Sequence, residues 1–497
     1  MGLDPYLVAG REPTSDICTL PTKLFRELDA CMADQLDDHA DEISTAAARQ
    51  EENDQIDQSL RRSMYSYAAQ WLPLLGEQGN SLMVPYDQIT RDCWRTTRRE
   101  MLRIINRKSY RSVLALYLFS QTAIPTGLSE DEERDGISGV VCNQTAYLQI
   151  QQLRERLRNS NFDCSEASAW SDSISTPVPS PNISDSYLSL ESRAFWAAIT
   201  WDTCSSMTLN FRSSLSSGLK GACLETSWRL ARGFLVGSFQ SRTEVWRKQG
   251  FEVSDEIAQE ITSAVAVCII YTWRTIASVK EALREGVEEE SVLFSWKAVL
   301  DALDIFRTTI HPLLNTIERQ LHFLSQVNRL YWYEMIMHYY LGILMLVEAL
   351  DIAKRTDLSS QVTDARLEAE HGCFNNLKFG LEGKYAVDTA ITESQTNFDD
   401  TSPSGDSHQL IVTSFVAIDP YPHHVVASVR LAYNAVSRKY RQGNIKYEAF
   451  YHLSSTLLRV LAELPQSSKA VILARKNLQD SINRLETSSA TVSTYIE

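Results

Sequence analysis

The chain has 497 residues and a formal net charge of −15, with 44% hydrophobic residues and ten tryptophans. This length exceeds one ordinary hydrophobic core, so we expect two or three packed units joined by linkers, and the apolar content excludes wholesale disorder. Because so acidic a chain repels phosphate overall, contact with nucleic acid would require a local basic patch.

Glycine and proline are scarce, at 19 and 14 residues, which favours long helices over many short strands and turns. The nine cysteines are scattered without a C-x-x-C pair, a pattern that fits buried thiols in a reducing compartment and neither a disulfide framework nor a zinc ribbon. No signal-peptide pattern opens the chain. The apolar run 331–350 contains Glu334, His338 and Glu348, so it predicts a buried helix. We therefore expect a soluble intracellular protein without a membrane partner.

The first third of the chain divides at changes in composition. Residues 1–55 are predicted to form an acidic, partly flexible N-terminal segment. Residues 56–158 form the N-terminal helical part, with a continuous helix over 87–122 and another over 140–158. Four residues are assigned to the apolar side of the first of these helices: Trp94, Leu102, Ile105 and Val113. Residues 159–190 are rich in serine and proline and predict a linker.

The rest of the chain is predicted to be helical on both sides of a second linker. In the central helical part, 191–388, the strongest helix pattern runs from Ile257 to Leu283, with Gly286 just past its end. Further helices are predicted at 292–310 and 313–350, with Pro312 interrupting the pattern. Residues 389–408 form the polar linker. In the C-terminal part, 409–497, residues 409–418 have a strand-like composition without an identifiable partner, and helices follow at 425–440, 447–464 and 469–485. The predicted fold class is all-α, a helical bundle or array with two polar linkers.

One short motif suggests enzyme chemistry. Asp37, Asp38 and Asp41 form a D-D-x-x-D, whose carboxylates can share Mg²⁺ on a diphosphate, as in all-α isoprenoid synthases. It lies in an acidic segment poor in apolar residues, without the second metal motif of such enzymes, so a solvated acidic stretch is the favoured interpretation. No phosphate loop, dinucleotide fingerprint, zinc-protease or hydrolase motif is present. We predict that the chain is not an enzyme and uses no cofactor.

Two histidine-containing stretches are candidate metal ligands. They are His423-His424 and the group Glu370, His371 and Cys373. Neither is accompanied by a second ligand pair at metal-site spacing, so both are interpreted as loop and helix-start residues, and no metal is predicted.

A basic stripe recurs at every fourth residue of one predicted helix. Its members are Arg91, Arg95, Arg99, Arg103, Arg107 and Arg111. Such a stripe could bind phosphate backbone, an acidic partner, or an acidic segment of the same chain, for which residues 27–57 are the obvious candidate. A charged solvent face is the commonest outcome of such a pattern, and direct DNA binding stays uncertain.

The stretch ESRAFWAAITWDTCSSMTLNFR at 191–212 predicts a well-packed helix. Arg193 and Asp202 fall on opposite faces of it, so each requires a partner in another segment. Four residues are expected to bury on nearly one face: Phe195, Trp196, Ile199 and Thr203.

The same residues resemble a known family. The pattern formed by Arg193, Phe195, Trp196 and Asp202, followed by Leu209 and Arg212, resembles the signature of the fungal-specific transcription factor domain, the helical middle homology region of many zinc-cluster regulators. The stretch SMYSYAAQWLPLL, with Tyr67 and Pro73, and a helix at 112–123 stand in the order that the family has, and the resemblance covers about residues 60–350. Two features depart from the family: Phe211-Arg212-Ser213 replaces its glycine-arginine-proline, and no six-cysteine zinc cluster is present.

The resemblance implies a transcriptional regulator or co-regulator of a fungal metabolic or biosynthetic pathway, located in the nucleus or shared with the cytoplasm. It implies action through other transcription regulators, a DNA-binding partner protein or a small-molecule effector, as a homo- or heterodimer. Either a partner reads DNA, or a zinc cluster is encoded upstream of Met1. The alternatives are an all-α scaffold or adaptor unrelated to transcription and the Mg²⁺-dependent enzyme. The target genes, the effector, the oligomeric state and the direction of regulation are left open.

Overall fold

A computed structural model describes residues 20–37, 44–76, 85–158, 185–388 and 410–493, and it confirms the all-α class. The α-helices, in chain order, are α1 Leu20–Asp37, α2 Ser44–Ala69, α3 Pro73–Gly76, α4 Tyr86–Ile104, α5 Tyr110–Gln121, α6 Glu130–Arg134, α7 Gly139–Arg158, α8 Asp185–Leu209, α9 Gly221–Leu224, α10 Thr226–Gly233, α11 Gln240–Arg242, α12 Glu244–Gln249, α13 Asp255–Glu285, α14 Glu289–Ile305, α15 His311–Gln320, α16 Gln326–Ile352, α17 Thr356–Ser359, α18 Thr363–Glu382, α19 Pro422–Arg441, α20 Tyr447–Glu463 and α21 Lys469–Ser493. Short π-helical turns cover Phe234–Phe239 and Phe306–Ile310, and 3₁₀ turns cover Leu321–Phe323 and Ser360–Val362.

One antiparallel strand pair is present among the described residues. β1, Lys384–Asp388, pairs with β2, Leu410–Ser414, in a register that places Lys384 opposite Ser414. The strand-like stretch at 409–418 therefore has a partner, which composition did not identify because β1 lies beyond the predicted linker.

Three local expectations are corrected. The predicted helix over 87–122 is two helices, because α4 ends at Ile104 and α5 begins at Tyr110 with Ser109 as its N-cap, whose side chain accepts a hydrogen bond from the Ser112 amide. Leu102, assigned to the apolar side, is 54% exposed. Helix also begins well before Ile56, since α1 and the first part of α2 lie within the acidic N-terminal segment.

The chain forms two compact units. The first comprises Met1–Ala69, Ile89–Glu252 and Ser263–Thr316. Its core packs α5 against α7, α2 and α1, and the apolar side chains of α1 that enter it are Leu24, Phe25 and Leu28. Aromatic rings from different helices meet there, with the Tyr117 and Trp201 rings stacked at 3.8 Å between centroids.

The second unit comprises Gln70–Gln88, Val253–Thr262 and Ile317–Glu497. In it, α16 packs closely on α18, and α19 packs on both. Two glycines of α18 allow this approach, because a Cβ atom at Gly380 would lie 2.2 Å from the Tyr333 ring and one at Gly372 would lie 2.3 Å from the Tyr340 ring. The strand pair borders this group of helices through hydrogen bonds between the Gln326 side chain and the Ala386 backbone.

Among the described residues, two helices are long and apolar enough to cross a membrane by length and composition. In α13 and α16, however, 89% and 72% of the apolar window is buried inside the protein, as in the core helices of soluble proteins. The expectation of a buried helix at 331–350 agrees with this burial.

Candidate functional site

The helix with the family-like signature, α8, is a core element of the first unit. Trp196, 5% exposed, meets the Trp228 ring edge-on at 5.8 Å between centroids, and Ile199 and Thr203 are buried with it. Phe195 differs from the expectation, because it is only half-buried and the Arg154 guanidinium covers its ring at 3.5 Å. The helix is thus anchored by its tryptophan and covered at its edge by a cation.

Asp202 holds the chain segment that follows α8. Its carboxylate accepts hydrogen bonds from the Ser213 hydroxyl, the Ser214 amide at 2.9 Å and the Leu215 amide at 3.1 Å. Burial raises the pKa of Asp202, whereas these bonds and the charge of Arg274 lower it. Asp202 therefore finds its partner in another segment, as expected from its position on α8, and it fixes the turn in which the sequence departs from the family.

Two other charges near the signature have roles in packing. Arg212 forms an ion pair with Glu281 at 3.1 Å. The C-terminal end of α8 is held by α13, since Lys280 donates to the Met207 carbonyl at 2.6 Å. Arg193 is half-buried on α8. Arg212 and Lys280 thus connect α8 and the segment after it to α13.

The C-terminal end of the basic stripe is bound by the acidic segment of the same chain. Arg111 donates to Asp29 at 2.7 Å, to Asp57 at 2.9 Å and to Asn53 at 2.8 Å. Arg107 lies 3.8 Å from the Glu52 carboxylate. One alternative drawn from the sequence, neutralisation by residues 27–57, thus holds for this end of the stripe.

The rest of the basic stripe contacts acidic side chains and carbonyl groups nearby. Arg95 pairs with Glu132, Arg103 pairs with Glu100 at 3.1 Å, and Arg91 donates to the Thr126 carbonyl. Arg99 is exposed. Most of this positive charge is therefore compensated inside the first unit. The stripe's binding of nucleic acid or an acidic partner stays a prediction.

The D-D-x-x-D motif lies mostly outside the described residues. Asp37 is the last residue of α1, and Asp38 and Asp41 lie outside the described residues. Across the part of the chain that the structure describes, no three His, Cys, Asp or Glu side chains are grouped so that they could hold a metal ion.

The helix start expected at His423-His424 is present, because α19 begins at Pro422, immediately before these two residues. The sequence did not reveal that His424 meets His338 of α16, with His424 Nδ1 2.9 Å from His338 Nε2 in the interior of the second unit. The other stretch was placed wrongly. Glu370, His371 and Cys373 lie in the middle of α18 because the helical pattern continues through Gly372.

A solvent-open cavity of about 730 Å³ lies in the second unit. It is formed by the C-terminal end of α16, by α17, by the first part of α18 and by the C-terminal end of α19. Its charged lining residues are five cations and two carboxylates, namely Lys354, Arg355, Arg366, Arg438, Lys439, Asp351 and Glu370. We call this cavity the basic pocket. Its net positive charge contrasts with the net charge of −15 of the chain.

Two helix ends of the same type contribute residues to the lining of the basic pocket. At the end of α19, the Asn444 amide donates to the Lys439 carbonyl and the Gly443 amide to the Tyr440 carbonyl, and Gly443 has φ of 73°. This is the Schellman arrangement, which favours glycine at the left-handed position. Glycine therefore ends α19 without a steric cost.

At the end of α16 the same two backbone hydrogen bonds are present. The Arg355 amide donates to the Leu350 carbonyl, and the Lys354 amide donates to the Asp351 carbonyl. The left-handed position is taken here by Lys354, with φ of 55°. A lysine in this conformation is less favourable than glycine would be, because its Cβ crowds the backbone. Its place in the lining puts a cation in the pocket at a position where the backbone favours glycine.

Glu370 organises the cations on one wall of the basic pocket. Its side chain is 3% exposed and accepts a hydrogen bond from Arg366 at 3.1 Å, one from Arg438, and one from Lys439 at 3.1 Å. Burial raises the pKa of Glu370, but the contacts with Lys439, Arg438 and Arg366 outweigh it, so the pKa lies below the usual value. Glu370 is therefore a fixed carboxylate that positions three cations, and it is not suited to proton transfer at neutral pH.

Arg355, another cation of the pocket, is also held by an ion pair. Arg355 binds Asp357 through two nitrogens, at 2.9 and 2.7 Å. A second cavity of about 320 Å³ adjoins the basic pocket and shares Asp351, Glu370 and Arg438 with it. The arrangement can attract an anion by charge and hydrogen bonds, and it offers no nucleophile activated by a neighbouring base.

None of the pocket cations was singled out from the sequence. Lys354 and Arg438 are 84 positions apart along the chain, and only the packing of α16, α18 and α19 brings them to one cavity. A partial signal was present, since Arg438, Lys439 and Arg441 lie in the last turn of a helix just before Gly443.

Comparisons with family models, with curated proteins and with solved structures find no match to this chain.

Proposed function

We propose that the chain is the helical regulatory part of a transcription regulator or co-regulator, which works through protein partners and responds to a ligand held in the basic pocket. The observation that carries this proposal is the pocket itself, a concave site of ligand size in an all-helical scaffold. Glu370 in its wall is ion-paired with three cations, an arrangement that suits binding of an anion better than catalysis.

The signature on α8 supports the transcriptional side of the proposal. Arg193, Phe195, Trp196 and Asp202 carry the resemblance to the fungal-specific transcription factor domain, and Asp202 fixes the turn that follows the helix. The signature therefore has a structural role in the fold, and the regulatory function is proposed to lie elsewhere in the chain. The proposed partners are other transcription regulators or a DNA-binding protein, the proposed location is the nucleus, and a homo- or heterodimer is the proposed assembly.

The test is chromatin immunoprecipitation of the epitope-tagged full-length chain in cells that express it, with fractionation of nucleus and cytoplasm in parallel. The proposal expects nuclear chain and recovery of a defined set of promoters. Stable cytosolic complexes with no nuclear fraction and no promoter recovery would overturn it and support the scaffold or adaptor alternative.

The enzyme alternative has its own assay. The purified chain is incubated with Mg²⁺ and prenyl diphosphates, and released pyrophosphate is measured. No turnover is expected. Turnover that disappears in an Asp37→Asn, Asp38→Asn variant would establish the isoprenoid-synthase-like activity instead.

A further inference from the structure

We propose that the basic pocket binds a compact small molecule carrying two or more phosphate or carboxylate groups, through Lys354, Arg366, Arg438 and Lys439. This inference depends on the proposed function for its regulatory meaning, whereas the binding itself is measured independently. The ligand class follows from the charge, the donor groups and the shape of the cavity.

The charge of the lining selects an anion. Five cations face only two carboxylates in the pocket, and one of the cations, Arg355, is compensated by Asp357 beside it. A net positive charge remains in a chain that is otherwise strongly acidic. A concave surface of one sign raises the local concentration of ligands of the opposite sign.

The donors on the Glu370 wall are not used up by that carboxylate. Lys439 has three N–H donors and directs one of them to Glu370, and Arg438 has five, of which one is recorded at Glu370. Their side chains are 36% and 35% exposed, so the remaining donors can reach a molecule in the cavity. Glu370 thus acts as a positioning residue that holds the cations before a ligand arrives.

An alternative explanation assigns these cations only to helix ends. Arg438 and Lys439 do lie in the last turn of α19, where positive charge interacts favourably with the helix dipole. That explanation does not account for Arg366, which lies in the first turns of α18, where positive charge is unfavourable. It also does not account for a lysine at the left-handed position that ends α16.

The uncharged lining restricts the ligand further. It contains hydroxyl groups, side-chain amides and two leucines, and no aromatic ring: Thr356, Ser359, Ser360, Thr363, Gln442, Asn444, Leu350 and Leu367. Without an aromatic surface for stacking, a nucleobase is disfavoured. Hydroxyls and amides suit the oxygen atoms of a phosphorylated polyol or of a polycarboxylate, and the volume of about 730 Å³ suits a small molecule.

The experiment is isothermal titration calorimetry of the full-length chain with pyrophosphate and, separately, with citrate at low ionic strength. Saturable binding of at least one probe is expected, and it should weaken steeply as salt is added. Tighter binding of pyrophosphate would identify phosphate groups as the ligand chemistry, and tighter binding of citrate would identify carboxylates. Absence of heat with both probes at millimolar concentration would overturn the proposal.

Variants locate the binding. Lys354→Gly removes a pocket cation at a position where glycine is favoured, so the melting temperature should stay the same or rise while binding of the probe weakens at least fivefold. Lys439→Gln should weaken binding at least fivefold as well. Lys476→Gln removes one charge from an exposed position on α21 outside the pocket and should change affinity less than twofold.

An equal loss of affinity in Lys476→Gln and Lys354→Gly would show that binding depends only on the overall charge of the chain. It would overturn the proposal that the basic pocket is the binding site. The proposed function is tested separately by promoter recovery. If the chain binds the probe saturably in the pocket but recovers no promoter, the binding site is supported and only its transcriptional role is overturned.

Discussion

His338 and His424 form a hydrogen bond of 2.9 Å between two buried imidazoles in the second unit. His338 Nδ1 lies 2.6 Å from the Glu334 carbonyl, which can only accept, so this nitrogen carries a proton. In the neutral ring, His338 Nε2 is then the acceptor, and His424 Nδ1 is the donor. Protonation of His338 Nε2 would require His424 to change tautomer, and burial of the His338 ring disfavours its charged form.

Acid should destabilise the second unit through this pair. Burial lowers the pKa of His338 to about 4, below the ordinary value of 6.5. Between these values the unfolded chain binds a proton that the folded state does not, so stability falls as pH drops from 6.5 towards 4, by about 3 kcal/mol for this group. Urea unfolding should show that His338→Gln has a smaller loss of stability over this range. His452→Gln, at an exposed position, should retain the wild-type loss, and an unchanged loss in His338→Gln would contradict the assignment.

Asp419 should act in the opposite direction. It is buried near Glu334, accepts a hydrogen bond from the Tyr421 amide at 2.8 Å, and has a pKa that burial raises to about 7. Because the folded state keeps a proton that the unfolded chain loses near pH 4, stability falls as pH rises from 4 to 7, by up to about 4 kcal/mol.

The corresponding measurement compares Asp419→Asn with wild type by urea unfolding at pH 5 and pH 8. The stability of the variant relative to wild type should increase by about 2–4 kcal/mol between these pH values, since the amide cannot ionise. Asp480→Asn, an exposed change on α21, should show no such increase. A pH-independent difference for Asp419→Asn would show that the carboxyl is already ionised at pH 5.

Gly380→Ala should destabilise the second unit by overpacking. The new methyl group would lie 2.2 Å from the Tyr333 ring, which is fully buried and cannot swing into solvent. The expected cost is about 1–3 kcal/mol, seen as a lower melting temperature. Gly233→Ala is the matched control, because a Cβ at that helical position meets nothing within 4 Å and should be neutral or stabilising. Equal melting temperatures for the two variants would contradict the close packing of α16 on α18.

Much of the fold could be predicted from the sequence, because helical periodicity is local. The long helix α13 was located between Ile257 and Leu283, with Gly286 just past its end, from spacing alone. The strand partner of residues 410–414 could not be found in this way, since pairing depends on which segments meet in space. The same limit explains the pocket: the ion pairs of Glu370 with Arg438 and Lys439 connect two helices, and neither charge is unusual within its own helix.

Asp202→Ala should destabilise the first unit strongly. It removes the acceptor for the Ser213 hydroxyl and for two backbone amides, and it leaves the buried Arg274 without this negative charge. We expect a loss of about 3–5 kcal/mol, as for other buried charges deprived of a partner. Chemical denaturation would measure it, with Asp301→Ala, which removes a carboxylate from a half-exposed ion pair, as a milder control. Similar small losses in both would show that the turn after α8 does not depend on Asp202.

Arg111→Ala should be the most damaging substitution in the basic stripe. Arg111 is bound to Asp29, Asp57 and Asn53, and its removal leaves the nearly buried Asp29 without its cation. The expected loss is about 2–4 kcal/mol in the free energy of unfolding. Arg99→Ala, at an exposed position of the same stripe, should stay within about 0.5 kcal/mol of wild type. Equal effects would mean that the acidic segment does not hold Arg111 in solution.

The most direct test of the regulatory role is to fuse the full-length chain to a heterologous DNA-binding domain and measure a reporter gene that carries its binding sites. We predict that the fusion raises or lowers reporter output several-fold relative to the DNA-binding domain alone. A fusion carrying Trp196→Ala, which should lose about 3–5 kcal/mol of stability, should lose most of this effect. Reporter output equal to that of the DNA-binding domain alone, from a wild-type fusion shown to be folded and present in the nucleus, would contradict the proposed function.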